Sequence, residues 1–311
     1  MNGSIPSVSG SSPSPTGALA RPSGTFALLA LDQRETLRTI LARAGRPAAD
    51  ADVTAFKVAV AGRLAGLASG LLIDPRFGFE AVMTEAAIPD SCGVILAADV
   101  FDQAPGGLVE DTRLDRELLG PGAVARGARA FKYMVIWRNG RGMGAQDREV
   151  ADFVEGCRRL GVASVLEGLV HVDSVAPGDL DDAILEAAVE LGRYRPDVYK
   201  GQIPTLGTGA PEIIEERSRE IVGALPCPWV VLSGGVPVDR FPDAVEIACR
   251  AGASGFLAGR GVWGPSIEAD DLEADLTGPA AARLERLIAI TEAHGRSWPE
   301  AAAPVGGSRS G

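Results

Sequence analysis

Eight short apolar runs rich in β-branched residues recur along this chain, separated for the most part by longer amphipathic stretches, and few folds accommodate such a pattern. The runs cover residues 26–32, 70–74, 93–98, 130–137, 163–167, 197–200, 229–233 and 255–258. Helical periodicity is read at 35–43, 52–65, 148–160, 183–191, 211–222 and 239–251, with a longer stretch at 278–294 after the eighth run. Strands that are apolar on both faces belong to parallel sheets covered by helices. Eight of them, each followed by a crossover, predict a single (β/α)8 TIM barrel of the α/β class. A length of 311 residues suits one such barrel of roughly 250 residues with tails. The other doubly wound arrangement, an open dinucleotide-binding sheet, lacks its GxGxxG after the first strand.

The expected organisation is a disordered Ser/Gly/Pro tail at 1–24, a barrel over 25–297 and a flexible tail at 298–311. Nothing before Thr25 has the basic start and apolar stretch of a signal peptide, and no run of about 18 apolar residues occurs. A cytoplasmic protein without membrane association is expected. The formal net charge of −11 disfavours a nucleic-acid partner, so an anionic ligand must meet a local positive site. Four cysteines without CxxC spacing and two scattered histidines offer neither a disulfide scaffold nor a metal centre, and no metal or other cofactor is expected.

In TIM barrels catalytic groups stand at the C-terminal ends of strands. Here the first strand ends in Asp32-Gln33-Arg34, the second in Asp74, the fifth in Glu167, the sixth in Lys200, the seventh in Ser233-Gly234-Gly235 and the eighth in Gly259-Arg260, while Lys132 lies within the fourth. From Lys132 onward, the intervals 35, 33, 33 and 27 residues each approximate one βα unit, so these side chains can share one mouth. A lysine inside an apolar strand is costly to bury charged. Beside a second cation its pKa falls from about 10.4 toward roughly 7–8, making it an amine nucleophile for a ketone. Lys132 and Lys200 are such lysines, with Glu167 placed to carry protons. A buried Lys–carboxylate pair holding the barrel together is the other reading of any single member. The glycine loops after strands seven and eight present backbone N–H groups to an anion, and Arg260 can add a forked contact.

Among the remaining candidates, Lys57 in a predicted helix reads as a surface lysine extending its head to water. His171 reads as a solvated loop histidine, with a general acid near Glu167 as the other reading, the cysteines and Trp137 and Trp229 read as core, and Arg138 at the strand-four end as an anion contact.

The segments TFALLALDQRETL, LLIDPRFG, AFKYMVIWR, DVYK, VVLSGGV and AGASGFLAGRGVW resemble the class I ketose-phosphate aldolases of the tagatose-1,6-bisphosphate aldolase group, especially its sulfofructosephosphate aldolase branch. The resemblance runs from about Thr25 to His294. It implies metal-independent cleavage of a ketose phosphate, either 6-deoxy-6-sulfofructose 1-phosphate or tagatose 1,6-bisphosphate in type, to dihydroxyacetone phosphate and an aldehyde. By that resemblance Lys200 forms the Schiff base, Lys132 and Glu167 assist proton transfer and Asp32 shares the pocket. Gln33, Arg34, Ser233, Gly234, Gly235, Gly259 and Arg260 contact substrate, with Ser233 and Arg260 on an anionic group. The implied partner is a small sugar phosphate or sulfosugar phosphate, and a homo-oligomer is expected. This chain departs from the pattern at Gly201-Gln202, where the family has Val-Glu, and at Gly168, where it has Pro. His171 stands where the sulfosugar branch carries arginine, and Gly62, next to Arg63, where it carries lysine. Two other functions fit the same residues: a non-catalytic sugar-phosphate-sensing barrel, and an isomerase or epimerase using Glu167 as base.

Overall fold

Strands apolar on both faces need two separate cores, and the structure supplies both. It is a computed structural model that describes residues 14–303 except 105–106, 139–143 and 177. The barrel strands are β1 (Phe26–Leu31), β2 (Gly70–Ile73), β3 (Gly93–Ala97), β6 (Ala128–Trp137), β7 (Ala163–Val170), β8 (Val198–Gly201), β9 (Trp229–Leu232) and β10 (Gly255–Ala258), while β4 (Asp99–Gln103) and β5 (Val109–Leu114) form a hairpin. All barrel pairings are parallel, and the sheet closes in the order β1-β10-β9-β8-β7-β6-β3-β2. The (β/α)8 barrel read from the sequence is the fold observed.

Side chains alternate across a strand, so each one feeds both cores. Phe26, Leu28 and Ala30 of β1 point into the barrel and pack with Leu72, Ile95, Val165, Val198, Val230 and Leu257. Their neighbours Ala27, Leu29 and Leu31 join the larger layer between sheet and helices. Trp137 and Trp229 are buried, as are all four cysteines, which carry free thiols. No helix among the described residues is long and apolar enough to cross a membrane.

The third βα unit breaks the regular pattern. After β3 the chain turns into the antiparallel β4–β5 hairpin and the short helix Pro121–Ala125 before β6, so the fourth strand of the sequence reading is β6. The tail boundary also moves. Residues 14–24, expected as tail, include the 3-10 helix Pro15–Leu19, and Leu19 is fully buried in the inner core. It closes the N-terminal end of the barrel, where Gly93, the first residue of β3, makes room for it. Trp298, placed by the sequence in the C-terminal tail, packs against the same cluster, and its backbone N–H donates to the Gly24 carbonyl at 2.8 Å. One leucine among small polar residues carries little periodicity, which is why composition concealed this plug. Residues 1–13 and 304–311 of the expected tails lie outside the described residues.

Leu19→Ala is expected to lower stability by about 2–4 kcal/mol, as for a leucine removed from a closed core. Urea denaturation checks it, and an unchanged midpoint would mean that the segment does not seal the barrel.

Candidate active site

Pairing in the barrel brings the charged strand ends together. Met134 of β6 pairs with Glu167 of β7, which pairs with Lys200 of β8, and Lys132 faces inward one pleat below Met134. The Lys132 ammonium has no exposure and lies 2.7 Å from Asp32 Oδ2, 2.7 Å from Asp99 Oδ2 and 3.2 Å from Glu167 Oε2. Burial opposes its charge, yet Asp32, Asp99 and Glu167 outweigh burial and hold its pKa well above the ordinary lysine value. The lowered pKa expected at Lys132 is therefore corrected: three anions outweigh the effect of any neighbouring cation. Burial likewise pushes against ionised Asp32, but Lys132 first, then Lys200 and Arg34, bring its pKa well below the carboxylate range. At Asp99 burial prevails over Lys132 and Arg34, and the pKa is raised. No group of three or more His, Cys, Asp or Glu among the described residues is arranged to hold a metal ion.

Lys200 has a different setting. Its Nζ lies 3.0 Å from Glu167 Oε2, its only carboxylate partner among the described residues, and its side chain lines a cavity of about 350 Å³ at the barrel mouth. Glu167 Oε2 faces both lysines but accepts a well-formed hydrogen bond from neither, leaving a lone pair for a proton. Asp32, Gln33, Arg34, Ser233, Gly234, Gly259 and Arg260 also line this cavity. Lys132 and Gly235 are not among the residues that line it.

The side of the cavity next to β9 and β10 is built largely from backbone. Ser233 Oγ accepts long hydrogen bonds from Gly259 N and Gly261 N, both 3.4 Å away, so these N–H groups converge beside the cavity. Gly235 has a φ of +83°, which only glycine adopts readily. A Cβ on Gly259 would come 2.6 Å from the Ala30 carbonyl oxygen. Arg260 is exposed at this rim with no carboxylate partner among the described residues, so its guanidinium is available to a ligand. Gln33 Oε1 is buried and unpartnered, ready to accept from a ligand hydroxyl. Arg34, by contrast, donates to Asp99 at 3.1 Å and stacks on Phe101 at 4.2 Å, which makes it part of the wall.

Several residues differ from the sequence reading. Lys57, expected at the surface, is fully buried and pairs with Asp74, whose second oxygen accepts from Arg76 N and Phe77 N. The chain holds only three lysines, at 57, 132 and 200, a rarity that could have marked Lys57 as something other than a solvated side chain. His171 is half-buried, contacts the Val109 carbonyl at 2.8 Å and lines the cavity rather than standing in solvent. Arg138 donates to the Glu110 carbonyl and does not line the cavity. Asp99 was missed altogether, although it follows the apolar run of the third strand directly. At Gln202, where the family has a carboxylate, the side-chain amide clamps both Val170 N and Val170 O at 2.7 and 3.0 Å, extending the β7–β8 junction.

A family model described as DeoC/LacD family aldolase matches residues 26–264, which contain every residue placed around the cavity. The chain belongs to the DeoC/LacD aldolase family. It is thus an aldolase, a lyase acting on a carbon–carbon bond. This DeoC/LacD aldolase is 24% identical over 270 residues to tagatose 1,6-diphosphate aldolase 1 of Enterococcus faecalis, covering 77% of this chain and 80% of that protein. It is 26% identical over 269 residues to a tagatose 1,6-diphosphate aldolase of Staphylococcus aureus, covering 77% and 81%. Among solved structures, Plasmodium falciparum fructose-bisphosphate aldolase aligns with a TM-score of 0.66 at 14% identity, over 94% of both chains. An archaeal fructose-1,6-bisphosphate aldolase, captured with its catalytic lysine bound to a carbinolamine intermediate, aligns at 0.59 and 18%, over 88% of this chain and 99% of that one. These structural likenesses establish a shared fold.

The depressed pKa of Asp32 has a consequence for stability. Its ionised form stabilises the fold fully above the unfolded value near 3.8, and that contribution is lost as pH falls from there toward the folded pKa. Urea titrations between pH 4 and pH 2 should show a steep loss in the wild type and a shallower one in Asp32→Asn. Parallel slopes would assign the acid sensitivity to another carboxylate.

Proposed function

We propose that this aldolase cleaves a ketose phosphate through a Schiff base on Lys200, releasing dihydroxyacetone phosphate and an aldehyde. The observation that carries the reading is the unequal treatment of three buried lysines: Lys57 is paired with Asp74, Lys132 is enclosed by three carboxylates, and Lys200 alone lines the cavity. A Schiff-base nucleophile must reach its substrate and present a free amine, and Lys200 is the one placed to do so.

In this mechanism the substrate phosphate binds at the Gly259 and Gly261 N–H groups and Arg260, with its C2 carbonyl at Lys200. The amine adds to C2, and the resulting carbinolamine loses water with proton help from Glu167, leaving a cationic iminium. Ionised Asp32 stabilises that charge. Cleavage between C3 and C4 sends the bond's electrons into the iminium to give an enamine, while the C4 hydroxyl proton passes to Glu167 and the aldehyde departs. Protonation of the enamine at C3 and hydrolysis then free dihydroxyacetone phosphate and Lys200. Lys132 stays protonated throughout and holds Asp32 and Glu167 in position. The named activity of the curated relatives makes tagatose 1,6-bisphosphate one substrate to test, and the motif resemblance adds 6-deoxy-6-sulfofructose 1-phosphate.

Borohydride reduction in the presence of the cleaved ketose phosphate should attach substrate to Lys200. Lys200→Ala should abolish trapping and lower turnover by roughly 10⁴-fold or more, with its melting temperature retained. Label recovered on Lys132 or Lys57 by mass spectrometry would overturn the assignment. Arg260→Ala should weaken binding of the phosphorylated ligand by about 10- to 100-fold, the loss of a charge-assisted hydrogen bond worth ~1.5–3 kcal/mol. Unchanged binding in a calorimetric titration would remove Arg260 from the anion site.

A further inference from the structure

We infer that the β4–β5 hairpin is the wall against which the aldehyde half of the substrate is selected, with Leu108 as a specificity-determining side chain. This rests on the Schiff-base reading above. The barrel order places Lys200 of β8 between two unlike sides. On one side β9 and β10 deliver the anion loops, with Ser233 and Arg260. On the other, the cavity is lined by Phe101, Leu108 and Val109 of the hairpin region and by Met134, Leu169 and His171. A ketose held by its phosphate on the first side and by C2 at Lys200 directs its remaining carbons, those that leave as aldehyde, toward the second.

The hairpin is fastened at several points, so the space it leaves has fixed dimensions. Its first residue, Asp99, is bound to Lys132 at 2.7 Å. Thr36 Oγ1 donates to the Gly107 carbonyl at 2.6 Å, Thr112 Oγ1 to the Met134 carbonyl at 2.6 Å, and His171 meets the Val109 carbonyl at 2.8 Å. Phe101 is held under the Arg34 guanidinium. Leu108 differs from these neighbours in being 56% exposed while lining the cavity. Its side chain is therefore contact surface for a ligand and can be altered without opening the core. A hydrophobic pocket of fixed size discriminates neighbouring homologues by about 10-fold or more per methylene.

Two measurements on the intact enzyme test this. In the addition direction, kcat/KM is determined with dihydroxyacetone phosphate and acetaldehyde, propanal or butanal. Separately, exchange of the hydroxymethyl hydrogens of dihydroxyacetone phosphate with D2O is followed by NMR, a reaction that needs Lys200 and the anion side but no aldehyde. Leu108→Ala should raise the butanal to acetaldehyde ratio of kcat/KM about tenfold, and Leu108→Trp should lower it, while exchange stays within twofold of wild type. Exchange with unaltered aldehyde ratios in both variants overturns the hairpin assignment and leaves the Schiff-base reading standing. Exchange that changes in step with addition also overturns it, since Leu108 would then act on the whole site. Absence of exchange in the wild-type enzyme overturns the dihydroxyacetone phosphate reading, and the inference with it.

Discussion

The Lys132 ammonium, enclosed by Asp32, Asp99 and Glu167, is the contact on which the arrangement at the barrel mouth depends. These carboxylates come from the end of β1, the start of the hairpin and β7, so one cation fastens three parts of the chain far apart in sequence. Without it three buried carboxyl groups would face one another in a poorly solvated space, and a buried charge left unpaired is strongly destabilising. The same enclosure makes Lys132 a poor nucleophile, because a proton held by three anions is not readily surrendered. The neighbouring Lys200 shares only Glu167 with it.

The fold turns this cluster into a site by dividing the barrel along its axis. From Leu19 at the N-terminal end up through Val165, Val198 and Leu257 the interior is filled with carbon, which excludes water from below. Above it the charged side chains of Lys132, Glu167 and Lys200, carried within β6, β7 and β8, form a layer whose last two members line the cavity. Above that layer the surroundings are unequal. Backbone N–H groups and Arg260 face one side of Lys200, while the anchored hairpin faces the other.

The strand count, the barrel closure and the positions of Asp32, Lys132, Glu167, Lys200, Ser233 and Arg260 were legible because local pattern expresses them. A parallel barrel strand is a short apolar run, and the first polar residue after it stands at the mouth. The hairpin escaped because β4 and β5 are short and rich in exposed polar residues, among them Asp102, Glu110, Asp111 and Arg113, and resemble a loop in composition. Asp99 escaped with it, since its importance comes from Lys132 and Arg34 across the barrel rather than from its sequence neighbours. Lys57 was misread because helical spacing does not reveal that its face meets Asp74 in the interior.

What the sequence determined by itself is therefore the set of groups that can meet: eight strand ends, a buried lysine on two of the strands, one glutamate between those lysines and two glycine loops. What only the tertiary structure decided is how these groups differ from one another. How firmly a buried lysine is held depends on how many carboxylates lie within about 3 Å of it, and those distances are set by barrel closure and by the hairpin's return over the mouth. Electrostatic energies change steeply over such separations in a poorly solvated interior, so residues of the same type, alike in the sequence, acquire different chemistry from their packing.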